Sequence, residues 1–187
     1  MSVRQGHCGV PTIATMRVSA GLLLFRRSGA GLEVLLAHPG GPFFEHRDEG
    51  HWTIPKGEPD IDEPLVEAAG REFVEETGLP APDGPLIELG SIVQKGGKVV
   101  HAWAAEGDLD PVAAHSNLIE IEWPPGSGRM QSFPEIDRVA WFDPMEARRR
   151  IKDAQIPLID RLEVAVDGSP RDETAQHAPR DRTGRSK

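Results

Sequence analysis

The stretch GEPDIDEPLVEAAGREFVEETGL, residues 57–79, decides the fold of this chain and supplies most of its candidate site. Its pattern predicts a helix over residues 64–77. The proline at the start fits a first helical turn, and Gly78 stands where a residue in the left-handed conformation commonly ends a helix. We therefore expect one well-bounded helix within this stretch.

Three carboxylates of this helix share one strip of its surface. The helical repeat brings Glu72, Glu75 and Glu76 to neighbouring positions, where like charges repel. The same repeat gathers an apolar core face beside the strip, made of Val66, Ala69 and Phe73. Part of the strip should therefore be semi-buried, where carboxylates without a compensating charge are costly.

A divalent cation is the natural compensation for such carboxylates, and a solvated acidic face is the plain alternative. Ligation by oxygen alone suits Mg²⁺ or Mn²⁺, which usually keep bound waters and are shared with substrate phosphates. Arg71 can pair with Glu72 or Glu63 and fix their orientation. Gly57 allows a tight turn that presents a carbonyl, and Lys56 can meet either a phosphate or water.

The segments around the helix predict a mixed sheet with helices packed on it. Strands are expected at residues 18–25, 33–38, 51–54, 86–94, 98–105, 117–123 and 138–142, and further helices at residues 144–151 and 157–166. This order implies an α+β or sandwich layout. Residues 124–132 interrupt the strand pattern with PPGSG and carry Arg129, which predicts a loop near the pocket.

The two ends of the chain differ from this middle part. Residues 1–15 lack periodicity and predict a flexible segment, and residues 168–187 contain almost nothing apolar and predict a disordered tail. The folded domain is therefore expected over residues 16–167. Met16 precedes the first strand closely and is an alternative to Met1 as the start of translation.

Composition narrows the classes of function. The formal net charge of −9 disfavours binding of extended nucleic acid, whereas a small phosphorylated ligand stays compatible because bound cations reverse the local field. Cys8 is the only cysteine, which excludes an intrachain disulfide framework or a thiolate cluster and fits a cytoplasmic protein. No apolar run approaches the ~20 residues of a spanning helix, so no membrane partner is expected.

Residues 57–79, called the box from here on, resemble the signature of the Nudix hydrolases at every position that the signature specifies. These positions are Gly57, Glu63, Arg71, Glu72, Phe73, Glu75, Glu76, Gly78 and Leu79. The likeness extends from about Val18 to Leu162 and includes WTIPKG, residues 52–57. Two departures are Asp62, where a glycine often precedes the glutamate, and the insertion at residues 124–132, which bears on the substrate pocket.

The resemblance implies a Nudix-like α/β/α sandwich, in which a central mixed sheet lies between helices and the box forms a loop-helix-loop that holds the metals. Carried over to this sequence, it implies that the metal ligands are Glu72, Glu75, Glu76 and the Gly57 carbonyl. Glu63 and Arg71 are similar to the pair that steadies the helix.

The catalytic base in this family lies in the box or in a later loop. Glu72 and Glu76 are therefore candidates within the box. Outside the box, the carboxylates best placed by sequence are Glu120, Glu122 and Glu135, of which Glu135 is our choice.

The resemblance also implies Mg²⁺-dependent cleavage of a pyrophosphate linkage in a nucleoside diphosphate derivative, with dinucleoside polyphosphates or nucleoside triphosphates as the first substrates to expect. Candidate contacts to this small-molecule nucleotide are Lys56, Arg71 and Arg129. A non-catalytic module that senses a nucleotide is the alternative from another class. The exact substrate and the oligomeric state stay open at this point.

Overall fold

The central strand of the sheet, β1 (Val18–Ser28), is buried on both faces over most of its length. It continues through a hairpin into β2 (Gly31–Pro39). Successive side chains of a strand point to opposite faces, so a run that is apolar throughout can serve two cores.

The computed structural model describes residues 17–29 and 31–168. The predicted flexible segment at residues 1–15 and almost all of the predicted tail at residues 168–187 therefore lie outside the described residues.

Four of the other strands join β1 and β2 in a mixed sheet, and two form a separate hairpin. Along the chain they are β3 (Lys56–Gly57), β4 (Leu86–Val93), β5 (Val99–Glu106), β6 (Leu118–Glu122), β7 (Met130–Pro134) and β8 (Ile136–Phe142). The main sheet has the order β4-β5-β1-β2-β8, and β3 adds to β1. Strand β5 runs parallel to β1, whereas the other pairs in this sheet are antiparallel.

Helices cover both faces of this sheet. On one face, α1 (Leu65–Thr77) packs Phe73 into a core with Leu22 and Leu24 of β1. On the other face, α2 (Pro144–Arg150) and α3 (Ile156–Asp167) enclose a second core that contains Leu23 and Leu162. The architecture is therefore the expected three-layer sandwich. None of the described helices is long and apolar enough to cross a membrane.

Helix α1 begins one residue after the predicted start and ends as predicted. Gly78 has φ 66° and donates its N–H to the Val74 carbonyl at 2.8 Å, which satisfies the last turn. The prediction for Val66 was wrong, because its side chain is exposed. The row of residues that packs on the sheet follows i+4 spacing through Leu65, Ala69, Phe73 and Thr77, and Val66 lies one residue off that row.

The predicted loop at residues 124–132 was partly wrong. Its last three residues, 130–132, belong to β7, which pairs with β6 in a separate two-stranded hairpin. The Trp123 N–H donates to the Arg129 carbonyl at 2.8 Å and closes that hairpin, so only residues 124–129 form the turn. The sequence pattern misses β7 because the pairing that makes it a strand comes from β6 rather than from its own apolar periodicity.

The strand expected at residues 51–54 is also displaced. Trp52 and Thr53 form only isolated bridges, to Ile151 and Ala37, whereas the paired residues are those of β3. The chain makes this shift because Lys56 and Gly57, beyond the proline, are the residues that lie against β1.

Candidate metal-binding and catalytic site

The site forms where β3 enters the box and passes beneath α1. Gly57 pairs with Ala20 of β1 and lies directly against the Glu72 carboxyl group. A Cβ atom at position 57 would lie 1.8 Å from Glu72 Oε2 and 2.0 Å from Glu72 Cδ. The absence of a side chain therefore makes room for the Glu72 carboxylate, a reason for this glycine other than the tight turn expected from the sequence.

A buried glutamine forms hydrogen bonds with the segment that leads into β3. The Gln155 side chain, which is fully buried, accepts the Ile54 N–H at 3.0 Å and donates to Thr53 Oγ1 at 2.8 Å. These bonds fix the chain just before the box from the opposite layer of the sandwich. Sequence reasoning missed Gln155, because its role depends on a contact between segments about a hundred residues apart.

Arg71 organises the outer carboxylates of the box. Its Nε and Nη2 atoms donate to the two oxygens of Glu63, each at 2.8 Å, in a bidentate pair. Its Nη1 donates to Glu72 at 2.9 Å and to Glu75 at 3.0 Å. The guanidinium, together with the Asp60 N–H, lowers the pKa of Glu63 to about 2. Arg71 was expected to pair with Glu72 or Glu63, and it pairs with both.

The strip of carboxylates runs from buried to exposed. Glu76 is only 6% exposed and accepts the Lys56 N–H at 2.9 Å, the Glu72 side chain is 12% exposed, and the Glu75 side chain is 50% exposed. Burial raises the pKa of Glu76 to about 7, and it also raises the pKa of Glu72. The negative charge of Glu135 pushes both pKa values in the same direction. The expected partial burial of the strip is confirmed.

Glu135 reaches the box from the junction of β7 and β8. Its N–H donates to the Asn117 carbonyl at 3.0 Å, and its carbonyl accepts the Gly40 N–H at 2.8 Å, so its backbone is held on both sides. Glu135, Glu76 and Lys56 all line one cavity of about 220 Å³. Apolar walls of this cavity come from Phe44, Ile119 and Ile121.

Lys152 is a further member of the site that sequence reasoning missed. It follows α2, donates its N–H to the Trp52 carbonyl at 2.9 Å and lines the same cavity. Burial lowers the pKa of its ammonium group, the nearby charge of Lys56 lowers it further, and Glu76 opposes both. No pattern in the sequence marks this lysine, because only the packing of the closing helices brings it to the box.

Several candidates lie away from the cavity. Arg129 is exposed in the turn of the β6–β7 hairpin and does not line it. Glu120 accepts a hydrogen bond from Ser132, and Glu122 accepts the Gly128 N–H at 2.6 Å, so both stabilise the hairpin itself.

The donor set suits a divalent cation, although the side chains are not arranged as a ready-made metal site. Among residues 17–29 and 31–168, no three Asp, Glu, His or Cys side chains converge closely enough to hold an ion. One cause is visible, since the carboxylates of Glu72 and Glu75 are both hydrogen-bonded to Arg71. Glu72 and Glu135, which are partly buried, nevertheless lie near enough to raise the pKa of the buried Glu76, and a hard cation with oxygen ligands would neutralise this negative charge.

Comparisons with known proteins agree with this architecture. A family model described as the NUDIX domain matches residues 15–162. A C. elegans Ap4A hydrolase, solved as a binary complex, is 23% identical, with a TM-score of 0.56 and coverage of 81% of this chain and 99% of that one. The NUDIX domain of Shewanella oneidensis NrtR, complexed with ADP ribose, is 18% identical, with a TM-score of 0.56 and coverage of 81% and 88%.

A mutT/nudix family protein from Listeria innocua is similar to a comparable degree, with 22% identity, a TM-score of 0.52 and coverage of 81% of this chain and 94% of that one. No curated protein sequence gives a match. At these identities the solved structures establish the fold, and the match to the family model covers most of the chain.

Proposed function

The chain belongs to the Nudix hydrolase family, and from this premise we propose that it is a Mg²⁺-dependent enzyme that cleaves a pyrophosphate linkage in a nucleoside diphosphate derivative. The observation that carries the proposal is that Glu76 and Glu135 line one cavity together with Lys56 and Lys152, and that Glu72 lies near enough to raise the pKa of Glu76. Acidic metal ligands beside basic groups are the arrangement that hydrolysis of a phosphoanhydride requires.

The residues that would hold Mg²⁺, or Mn²⁺ in its place, are Glu72, Glu75, Glu76 and the Gly57 carbonyl. When bound, the ion neutralises phosphate oxygens and makes a bound water more acidic. One oxygen of the Glu72 carboxylate is bonded to the Arg71 guanidinium, so the other oxygen would be the one offered to the ion. Arg71 keeps its bidentate pair with Glu63 and so continues to steady the helix.

The protein's own groups would complete the reaction. The Glu135 carboxylate accepts the proton of the attacking water, and its position at the cavity supports this role. Glu72 and Glu76 are the other candidates for the base. Lys56, which lines the same cavity, binds a phosphate oxygen and stabilises the negative charge that develops on it.

Dinucleoside polyphosphates and nucleoside triphosphates are the first substrates to test. The similarity to an Ap4A hydrolase and the apolar wall of Phe44, Ile119 and Ile121, which suits a nucleobase, support this choice. A small nucleotide is also a more compatible partner for this acidic protein than an extended nucleic acid is. A cytoplasmic location is part of the same proposal.

The test is turnover of a panel containing Ap4A, nucleoside triphosphates and ADP-ribose with Mg²⁺, followed by chromatographic identification of the products. EDTA should abolish the reaction. Glu67→Gln is the matched control for changes in the strip, because Glu67 lies on the same helix but is exposed and outside the cavity. If the protein cleaves no member with either Mg²⁺ or Mn²⁺, the hydrolase proposal is wrong and the nucleotide-sensing module takes its place.

A further inference from the structure

A second and larger cavity shares Lys152 with the site described above. Its volume is about 350 Å³, and its lining residues are Gly50, Gln94, Lys95, Lys152, Asp153 and Ala154. None of them belongs to the box or was a candidate from the sequence. Because Lys152 lines both cavities, the two cavities adjoin at this residue.

One of the residues that line this cavity, Gln94, carries a side-chain donor that lacks a partner. Gln94 Nε2 is buried and, among the residues that the structure describes, is one of two buried side-chain nitrogen or oxygen atoms without a hydrogen-bond partner. The Gln94 backbone is fixed, since its N–H donates to the Lys98 carbonyl at 2.8 Å and its carbonyl accepts the Gly97 N–H at 3.1 Å. A buried donor left unpaired is unfavourable, and rotation of this amide toward a ligand acceptor in the cavity would remove that cost.

The charges of the cavity favour an anion. Lys95 and Lys152 contribute two ammonium groups against the single carboxylate of Asp153. Burial lowers the pKa of the Lys152 ammonium group, the charges of Lys56 and Lys98 lower it further, and the charge of Glu76 opposes them. Like charges gathered in this way repel one another, so a polyanion that enters between them would relieve the repulsion.

We propose that this cavity is a subsite for the distal phosphates of a substrate with three or more phosphates in a row. The scissile linkage then lies at the carboxylates, the phosphate chain passes Lys56 and Lys152, and its far end meets Lys95 and the Gln94 amide. The subsite extends the proposed hydrolase function and rests on it. A substrate with only two phosphates, such as ADP-ribose, does not place a phosphate in this cavity.

The kinetic test compares Ap4A with ADP-ribose in the wild type, Lys152→Gln, Lys95→Gln and a control. The ratio of kcat/KM for Ap4A to that for ADP-ribose should fall about tenfold or more in Lys152→Gln, as expected for loss of a charged hydrogen bond. Lys95→Gln should lower the ratio as well, and because Lys95 is exposed this change carries little risk to folding. Arg27→Gln removes one positive charge from a surface ion pair outside both cavities and should leave the ratio unchanged. An unchanged ratio in both lysine variants would refute the subsite.

A binding test separates failure of the subsite from failure of the hydrolase proposal. Isothermal titration calorimetry measures binding of inorganic tripolyphosphate in EDTA, where metal-supported turnover cannot occur. Without a metal ion, the carboxylates of the box do not attract the anion. Binding to the wild type that weakens in Lys152→Gln and Lys95→Gln, but not in Arg27→Gln, supports the subsite even if no nucleotide is hydrolysed. Absence of binding to the wild type, or equal weakening in Arg27→Gln, contradicts it.

Discussion

Replacement of Gly57 by alanine should separate folding from activity. The new methyl group would lie 1.8 Å from Glu72 Oε2 and 2.3 Å from Glu72 Oε1. Because non-bonded heavy atoms rest about 3.5 Å apart, the carboxylate must retreat by roughly 1.5 Å. The obstructing atoms belong to the end of a flexible side chain rather than to the backbone, so the helix itself can stay in place.

The expected magnitudes follow from that displacement. A shift of about 1 Å in a reacting group can lower a rate by about a hundredfold, so kcat/KM should fall by at least that factor. Stability should change by no more than about 2 kcal/mol, because the variant loses at most the partly buried hydrogen bond between Arg71 and Glu72 and gains the smaller chain entropy of alanine.

Gly70→Ala is the matched control for Gly57→Ala. A Cβ atom at position 70 would meet nothing within 4 Å, and the position lies inside α1. Alanine should therefore stabilise the protein by about 0.5–1 kcal/mol and leave turnover unaltered. Thermal denaturation and steady-state kinetics of both variants would check this pair of outcomes. Wild-type kcat/KM in Gly57→Ala would refute the argument that the glycine makes room for Glu72.

Three further predictions concern charged residues. In EDTA, Glu76→Gln should raise the melting temperature above pH 7, because a pKa raised from 4.5 to about 7 makes wild-type stability fall as the pH rises through that window. The difference in stability between the variant and the wild type should be at most about 3 kcal/mol and should vanish below pH 4.5. A difference that persists below pH 4.5 would contradict the assignment. Glu63→Gln should show the opposite dependence of stability on pH. Because the pKa of Glu63 in the folded protein is lowered to about 2, its ion pair with Arg71 stabilises the wild type above pH 4.5 and is lost as the pH falls toward 2. Denaturant titrations of the variant and the wild type at several pH values would reveal this dependence. Arg129→Ala should leave KM and kcat within about twofold, since the side chain is exposed outside the cavity; a large rise in KM would return Arg129 to the substrate site.

The sequence was sufficient for the fold where local signals agree. The continuous apolar run of β1, the glycine turn between β4 and β5, and Gly78 at the end of α1 each predict a structure that tertiary packing then preserves. The family resemblance over the box and the three-layer architecture are confirmed by the matched domain and by the solved structures.

The parts that the sequence missed depend on contacts between distant segments. Lys152 and Gln155 reach the box only because the closing helices pack across the sheet from it, and β7 is a strand only because β6 lies beside it. Glu135 was chosen from the sequence among three carboxylates, but its proximity to Glu76 becomes visible only in the folded chain. The functional roles of these carboxylates, including Glu72 and Glu75, stay predictions for experiment.

The measurement that tests the central claim most directly is a Mg²⁺ titration of hydrolysis of the best substrate by the wild type, Glu76→Gln and Glu67→Gln. If the strip holds the metal, Glu67→Gln should match the wild type, whereas Glu76→Gln should stay folded, lose about a hundredfold or more in rate and require a higher Mg²⁺ concentration. A Glu76→Gln protein with the wild-type rate and the wild-type Mg²⁺ dependence would contradict the account, because the most buried carboxylate of the strip would then have no part in holding the ion.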